Sequence, residues 1–255
     1  MSAINQPNQP RAPFLSAIDL ERIAFQTLQK FDQSLLSEPQ ALNIDRFAEQ
    51  YLRLNLDFIE LSNNQSILGI MVFSESPVPV FDPEINMPKI INVSTGTAII
   101  ERTLLDDHNQ NRTRFTIAHE CAHWLLHRPK TKSQPLVCRT VGCSEPKNWQ
   151  EWQADNLASA LLMPAVAVNT FMKKYVRDNR ESMKMMYQMF GDRYAKTKRE
   201  QIIRIAAATF AVSEQAAELR LTRLHYLKPK QEPQPDVSGF ECINPMTQMM
   251  FGDLR

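Results

Sequence analysis

Residues 114–127 read RFTIAHECAHWLLH, and the fold and the chemistry are both read outward from them. Within the stretch, His119-Glu120-Cys121-Ala122-His123 has the H-E-x-x-H spacing. On an α-helix, positions i and i+4 share a face one turn apart, so two imidazoles there can converge on one Zn²⁺ at about 2.0–2.1 Å. Glu120 stands about 100° further round the axis, given 3.6 residues per turn. It can therefore reach a water molecule on the ion without taking a ligand position, as a general base must. Phe115, Ala118, Ala122, Leu125 and Leu126 give the same helix an apolar side for burial. A five-residue pattern also recurs by accident, so a third ligand is needed downstream.

Residues 151–164, EWQADNLASALLMP, supply one. Glu151 and Asp155 are again at i and i+4 of a helix. Glu151 can complete a set of two histidines and one glutamate, which leaves a fourth zinc position open. Asp155 can accept a hydrogen bond from the distal nitrogen of a ligand histidine and so set its tautomer. Both carboxylates on a merely solvated face would be the plain alternative. Trp152, Leu157, Ala158, Leu161 and Leu162 make that helix too apolar for it, and a buried acidic pair needs a partner.

The remaining histidines and cysteines fit less well. His127 lies eight residues after His119, about 12 Å along the axis at 1.5 Å per residue, so the two cannot share one ion. A structural role is expected for it. His108 falls in a polar loop and His225 near the end of the last helix. Cys138 and Cys143 lack the two-residue spacing of a metal knuckle, and Cys121 sits off the ligand face, where packing is its expected work.

Around these segments the texture changes twice. Residues 1–14 are polar and proline-rich, as in a disordered tail. Helical spacing marks 16–36 and 43–54. The runs 56–61, 66–73, 77–82, 89–94 and 97–101 are rich in Ile, Val and Phe and are broken by turn residues, so they read as strands of a small mixed or antiparallel sheet. The metal helix follows at 111–127, then a polar loop, then a helix from Trp149 to about Met163. Further helices are expected at 165–178, 181–190, 198–210 and 214–226. The fold class is therefore α+β. The expected organisation is a peptidase-like domain over 15–165, a helical subdomain resembling a helix-turn-helix over 166–227, and a linker and tail over 228–255.

Composition bounds the function classes. The chain has 255 residues and a net charge of +1, which offers no global field toward nucleic acid or membrane. The charge is uneven: residues 171–230 carry 14 Lys/Arg against 6 Asp/Glu. A solvated helical surface accounts for that, with DNA binding as the less favoured reading. No apolar leader and no apolar run of about 18 residues occurs, so a cytoplasmic location, no membrane span and reduced cysteines are expected.

RFTIAHECAHWLLH, the E-x-x-A-D-N-x-A-x-x-L-L-M-P run at 151–164 and the preceding LLDDHNQNRTR at 104–114 resemble the ImmA/IrrE family of metallo-endopeptidases. The resemblance is specific over about 100–165 and looser across the strands. The stretch VSEQAAELRLTRL at 212–224 also resembles the family's helical tail. It implies a zincin-like fold, zinc ligands His119, His123 and Glu151, and Glu120 as the catalytic base. Gln153 departs from a frequent second Glu, and Asp155 replaces a frequent Asn, which is closer to a thermolysin-like arrangement. The resemblance also implies a protein substrate, in several members a helix-turn-helix transcriptional repressor. Zinc would polarise the scissile carbonyl and acidify water, and Glu120 would pass the proton to the leaving amine. A peptide would lie along a strand near Ile90–Ile100. Tyr175, Tyr187, Tyr194, His225 and several arginines are the candidate oxyanion donors. Two rival readings stand beside this one: a DNA-binding regulator built on the 198–226 helices, and a weakly active zincin that serves as a sensor or binding module.

Overall fold

Strand runs of β-branched residues form the sheet on which the H-E-x-x-H helix lies. In the computed structural model residues 15–106, 110–128, 137–141 and 149–229 are described. The expectations for the tail 1–14, for His108, for Cys143 and for 230–255 fall outside them. The fold is mixed α+β. Strands β1 (Asn55–Ile59), β2 (Ile67–Val72), β5 (Thr97–Glu101) and β6 (Val137–Val141) form a four-stranded sheet in the order β1-β5-β2-β6. β1 runs parallel to β5, while β2 is antiparallel to β5 and to β6. Strands β3 (Ser76–Asp82) and β4 (Met87–Val93) make a separate antiparallel hairpin.

The sheet is covered on both faces, which explains why β2 and β5 read as continuous apolar runs rather than alternating ones. Ile70, Val72 and Ile99 point at Val78, Val80 and Val93 of the hairpin. Met71, Ala98 and Ile100 point the other way, into a larger core shared with the helices. That core draws on α1 (Ala17–Phe31), α2 (Ser34–Ser37), α3 (Ile44–Arg46), α4 (Gln110–His127), α5 (Trp149–Leu162), α6 (Ala165–Phe210) and α7 (Glu214–Arg223). A capping box starts α1: the Ser16 hydroxyl accepts from the Asp19 N–H, and Asp19 accepts from the Ser16 N–H.

Three expectations need correcting. The helices placed separately at 165–178, 181–190 and 198–210 are one helix of 46 residues. The intervening segments are polar but hold no proline, and a lone interior glycine, Gly191, costs only about 1 kcal/mol in a helix. The helix ends where Ala211 turns left-handed, at φ 50°. Second, the loop after α4 contains β6, a strand that its polar surroundings concealed. Third, the peptide edge expected within Ile90–Ile100 cannot be β5, and among the described residues it is left to β4, which pairs on one side only, with β3. β5 is interior with both sides paired. Among the described residues, the outer strands of the four-stranded sheet are β1 and β6.

The α6–α7 pair is tied back to the rest of the molecule. Arg114 of α4 donates to the carbonyls of Ala211, at the α6–α7 turn, and Leu42. Arg220 of α7 is fully buried. Its Nε donates to the Met163 carbonyl at 2.9 Å, and both terminal nitrogens pair with the Glu21 carboxylate of α1. Arg223 reaches Asn156 of α5 at 2.7 Å.

Candidate metal centre

Two helices in contact, α4 and α5, supply every polar group of the site. From α4 come His119, Glu120, His123 and His127, all buried; from α5 come Glu151, Gln153 and Asp155. His119, His123 and His127 follow one another at four-residue steps, so they share the face turned toward α5.

The ligand atoms converge. His123 Nε2 is 2.9 Å from His119 Nε2, His119 Nε2 is 3.1 Å from Glu151 Oε2, and His123 Nε2 is 3.5 Å from Glu151 Oε1. One atom from each of these three residues lies within 4.8 Å of the other two. Tetrahedral ligands about 2.05 Å from one ion would be separated by about 3.3 Å. The observed spacings straddle that value, so the set fits a divalent ion.

The distal nitrogens of the two rings are held as well. His119 Nδ1 is 2.9 Å from Asp155 Oδ1, and a carboxylate can only accept there, so Nδ1 carries the hydrogen. In neutral His119 the Nε2 lone pair then faces Glu151 and His123. His123 Nδ1 is 2.9 Å from His127 Nδ1, and His127 Nε2 is 2.9 Å from Gln153 Oε1. Asp155 itself remains largely open to solvent.

The electrostatics follow from this crowding. Burial works against a charge on His119, but the Asp155 and Glu151 carboxylates outweigh it and push its pKa up to about 10. Burial drives His123 down to about 4, against the pull of Glu151. Burial also lowers His127. Burial works to raise Glu151, but its bonds to the two imidazoles prevail and hold it at about 2. The arrangement thus concentrates lone pairs at one point and favours whatever cation sits among them.

Glu120 is wholly buried and lies against the sheet. A β-carbon added to Gly69 of β2 would collide with Glu120 Oε1, so only glycine leaves the carboxylate its place. The register of β2 on β6 slips between Ile67 and Ile70, which marks a β-bulge. The bulge lets Leu68 and Gly69 both turn toward the helix layer. Gly69 was not singled out by sequence reasoning; a glycine inside an otherwise aliphatic strand was the available signal. Gln153 and His127 were noticed, but their pairing was not.

Other candidates fall elsewhere. Tyr175 turns into the helical core, its hydroxyl 3.4 Å from Gln201, and His225 is exposed after α7. The side chains of Tyr187, Tyr194 and Cys138 lie outside what is described. Cys121 is buried with its thiol pushed up by burial, an inert packing residue.

Residues 103–222 match the family profile Peptidase_M78, described as the IrrE N-terminal-like domain. Over that span the chain is similar to the ImmA/IrrE family, which supports the resemblance read from its motifs. The match begins at Thr103 and takes in α4, α5, α6 and most of α7, so the site lies wholly within it. The match supports a metallopeptidase, which would act on a protein substrate. No curated protein matches the chain. Among the described residues no helix is long and apolar enough to cross a membrane.

Proposed function

We propose that the chain is a zinc-dependent endopeptidase of zincin-like fold and of the ImmA/IrrE family. Its metal would be held by His119, His123 and Glu151, with Glu120 as general base. One observation carries the reading: one potential ligand atom from each of three residues, on two helices, lies within 4.8 Å of the other two. Two nitrogens and one carboxylate oxygen suit zinc better than they suit magnesium or calcium, which favour oxygen ligands.

A zinc ion there supplies Lewis acidity, polarising the scissile carbonyl and acidifying a water molecule. The rest is done by the chain. Glu120, seated on Gly69, accepts the proton of the attacking water and delivers it to the leaving amine nitrogen. Asp155 keeps the hydrogen of His119 on Nδ1, so that Nε2 stays available to the ion. The depressed pKa of Glu151 keeps it ionised at neutral pH.

The family resemblance extends the proposal to the substrate, a helix-turn-helix transcriptional repressor encoded alongside the enzyme. The helices at 166–227 are proposed to serve as walls of the peptidase rather than as a DNA reader. The inward bonds of Arg220 and Arg223 support this, because they spend on the protein itself side chains that a DNA reader would turn to phosphates.

Elemental mass spectrometry on wild type and Glu151→Ala tests the site. About one zinc per wild-type chain, sharply reduced in the variant, is the expected result. Wild-type protein that takes up no zinc after purification without chelators would sink the proposal. Incubation of the zinc-loaded enzyme with the co-encoded repressor then tests the substrate, read as new termini by mass spectrometry.

A further inference from the structure

His127 and Gln153 stand outside the three-residue ligand set, yet both are buried against it. Their contacts have a direction. The Gln153 side-chain oxygen has lone pairs and no hydrogen, so at 2.9 Å it requires the hydrogen of His127 on Nε2. A neutral imidazole with Nε2–H has a bare Nδ1. That bare nitrogen is 2.9 Å from His123 Nδ1, which must therefore carry the hydrogen. His123 Nε2 is then the lone pair, and it is the atom that faces His119 and Glu151. Reversing the Gln153 amide would reverse every step and put a hydrogen on His123 Nε2, in the middle of the ligand set.

We infer that Gln153 and His127 form a two-residue relay that sets the tautomer of His123 for metal binding. The inference rests on the metal reading above. The two α4 histidines are thus held from α5 in different ways: His119 directly by Asp155, and His123 through a second imidazole that ends on a neutral amide. His127 and Gln153 are positioning residues. A histidine that only filled space beside His123 would leave its tautomer undetermined.

The test is long-range ¹H–¹⁵N correlation of the histidine rings in chelated, ¹⁵N-labelled protein, followed by zinc affinity against a competing chelator. In wild type, His123 is expected to carry its hydrogen on Nδ1. Gln153→Leu removes the acceptor, so His123 should show mixed tautomers and zinc affinity should fall about 10- to 100-fold, the usual cost of losing such a partner. Gln153→Glu retains an acceptor and should restore most of the affinity. Hydrogen on Nε2 of His123 in wild type would overturn the relay, and that measurement needs no variant to fold. So would Gln153→Leu protein that binds zinc as tightly as wild type. If the wild-type tautomer is as expected but no zinc is taken up, the relay stands and the metal reading falls.

Discussion

Two buried polar clusters link α1 and the α4–α7 helices, and they are built on opposite principles. Around Arg220, one guanidinium meets one carboxylate and one backbone carbonyl, so donors and acceptors match and the cluster is complete by itself. Around His119 and His123, the groups that converge are, with both rings neutral, acceptors: two imidazole nitrogens and a carboxylate, with every distal hydrogen already committed to Asp155, His127 or Gln153. The first closes a structure. The second is stable only around a positive charge, which is the physical mark of a site rather than a strut.

Substitutions should separate the two clusters. Glu120→Gln keeps size and burial but removes the carboxylate proposed as the base. Peptide cleavage should fall about 10²- to 10⁴-fold with zinc content and melting temperature unchanged. A variant that still cleaved at the wild-type rate would remove Glu120 from the mechanism. Arg220→Ala should do the reverse. It takes the partner from Glu21 and from the Met163 carbonyl, at a cost of about 3 kcal/mol in stability by denaturant titration. Zinc per folded chain should not change; loss of zinc would show that the two clusters are coupled. Gly69→Ala should be next in size. The added methyl cannot coexist with Glu120 Oε1, and the carboxylate, being the end of a side chain, should move rather than the strand. A displacement of about 1 Å at a reacting group costs about 10²-fold in rate, read as a drop in kcat with zinc retained. An unchanged kcat would mean that Glu120 does not act from the place it now occupies.

The same contrast explains what was legible in the sequence. The convergence of His119, His123, Glu151 and Asp155 was readable because helical periodicity alone brings i and i+4 together. Strands β1 to β5 were readable because their residues are β-branched and apolar. What escaped depends on partners distant in sequence. β6 is a strand because β2 offers it an edge, not because 137–141 is strongly apolar. The breaks imagined in α6 were inferred from polar segments that interrupt a stripe without breaking a helix. Gln153 looked like a mere departure from a family pattern, since its meaning lies in His127, 26 residues away. Gly69 is explained only by Glu120, on a different element.

The smallest effect is the one that reads the charge demand of the site directly. With its pKa near 10, His119 carries a proton at neutral pH in chelated protein, while His123 at about 4 is neutral and Glu151 at about 2 is ionised. A zinc ion needs the Nε2 lone pair of His119, so one proton must leave as it binds. Between pH 6.5 and 9 the apparent zinc affinity should therefore rise about tenfold per pH unit. Stability of the chelated protein should move the other way. A folded pKa raised above the ordinary 6.5 stabilises fully below 6.5, and the contribution is lost as pH climbs toward 10. Melting temperatures with chelator and with saturating zinc should thus diverge as pH rises over that window. A slope of two protons would mean that His123 is also protonated, and a slope of zero that His119 is not. Two protons would neutralise the acceptors from within and erase the difference between the two clusters, whereas none would leave all three bare and make it largest.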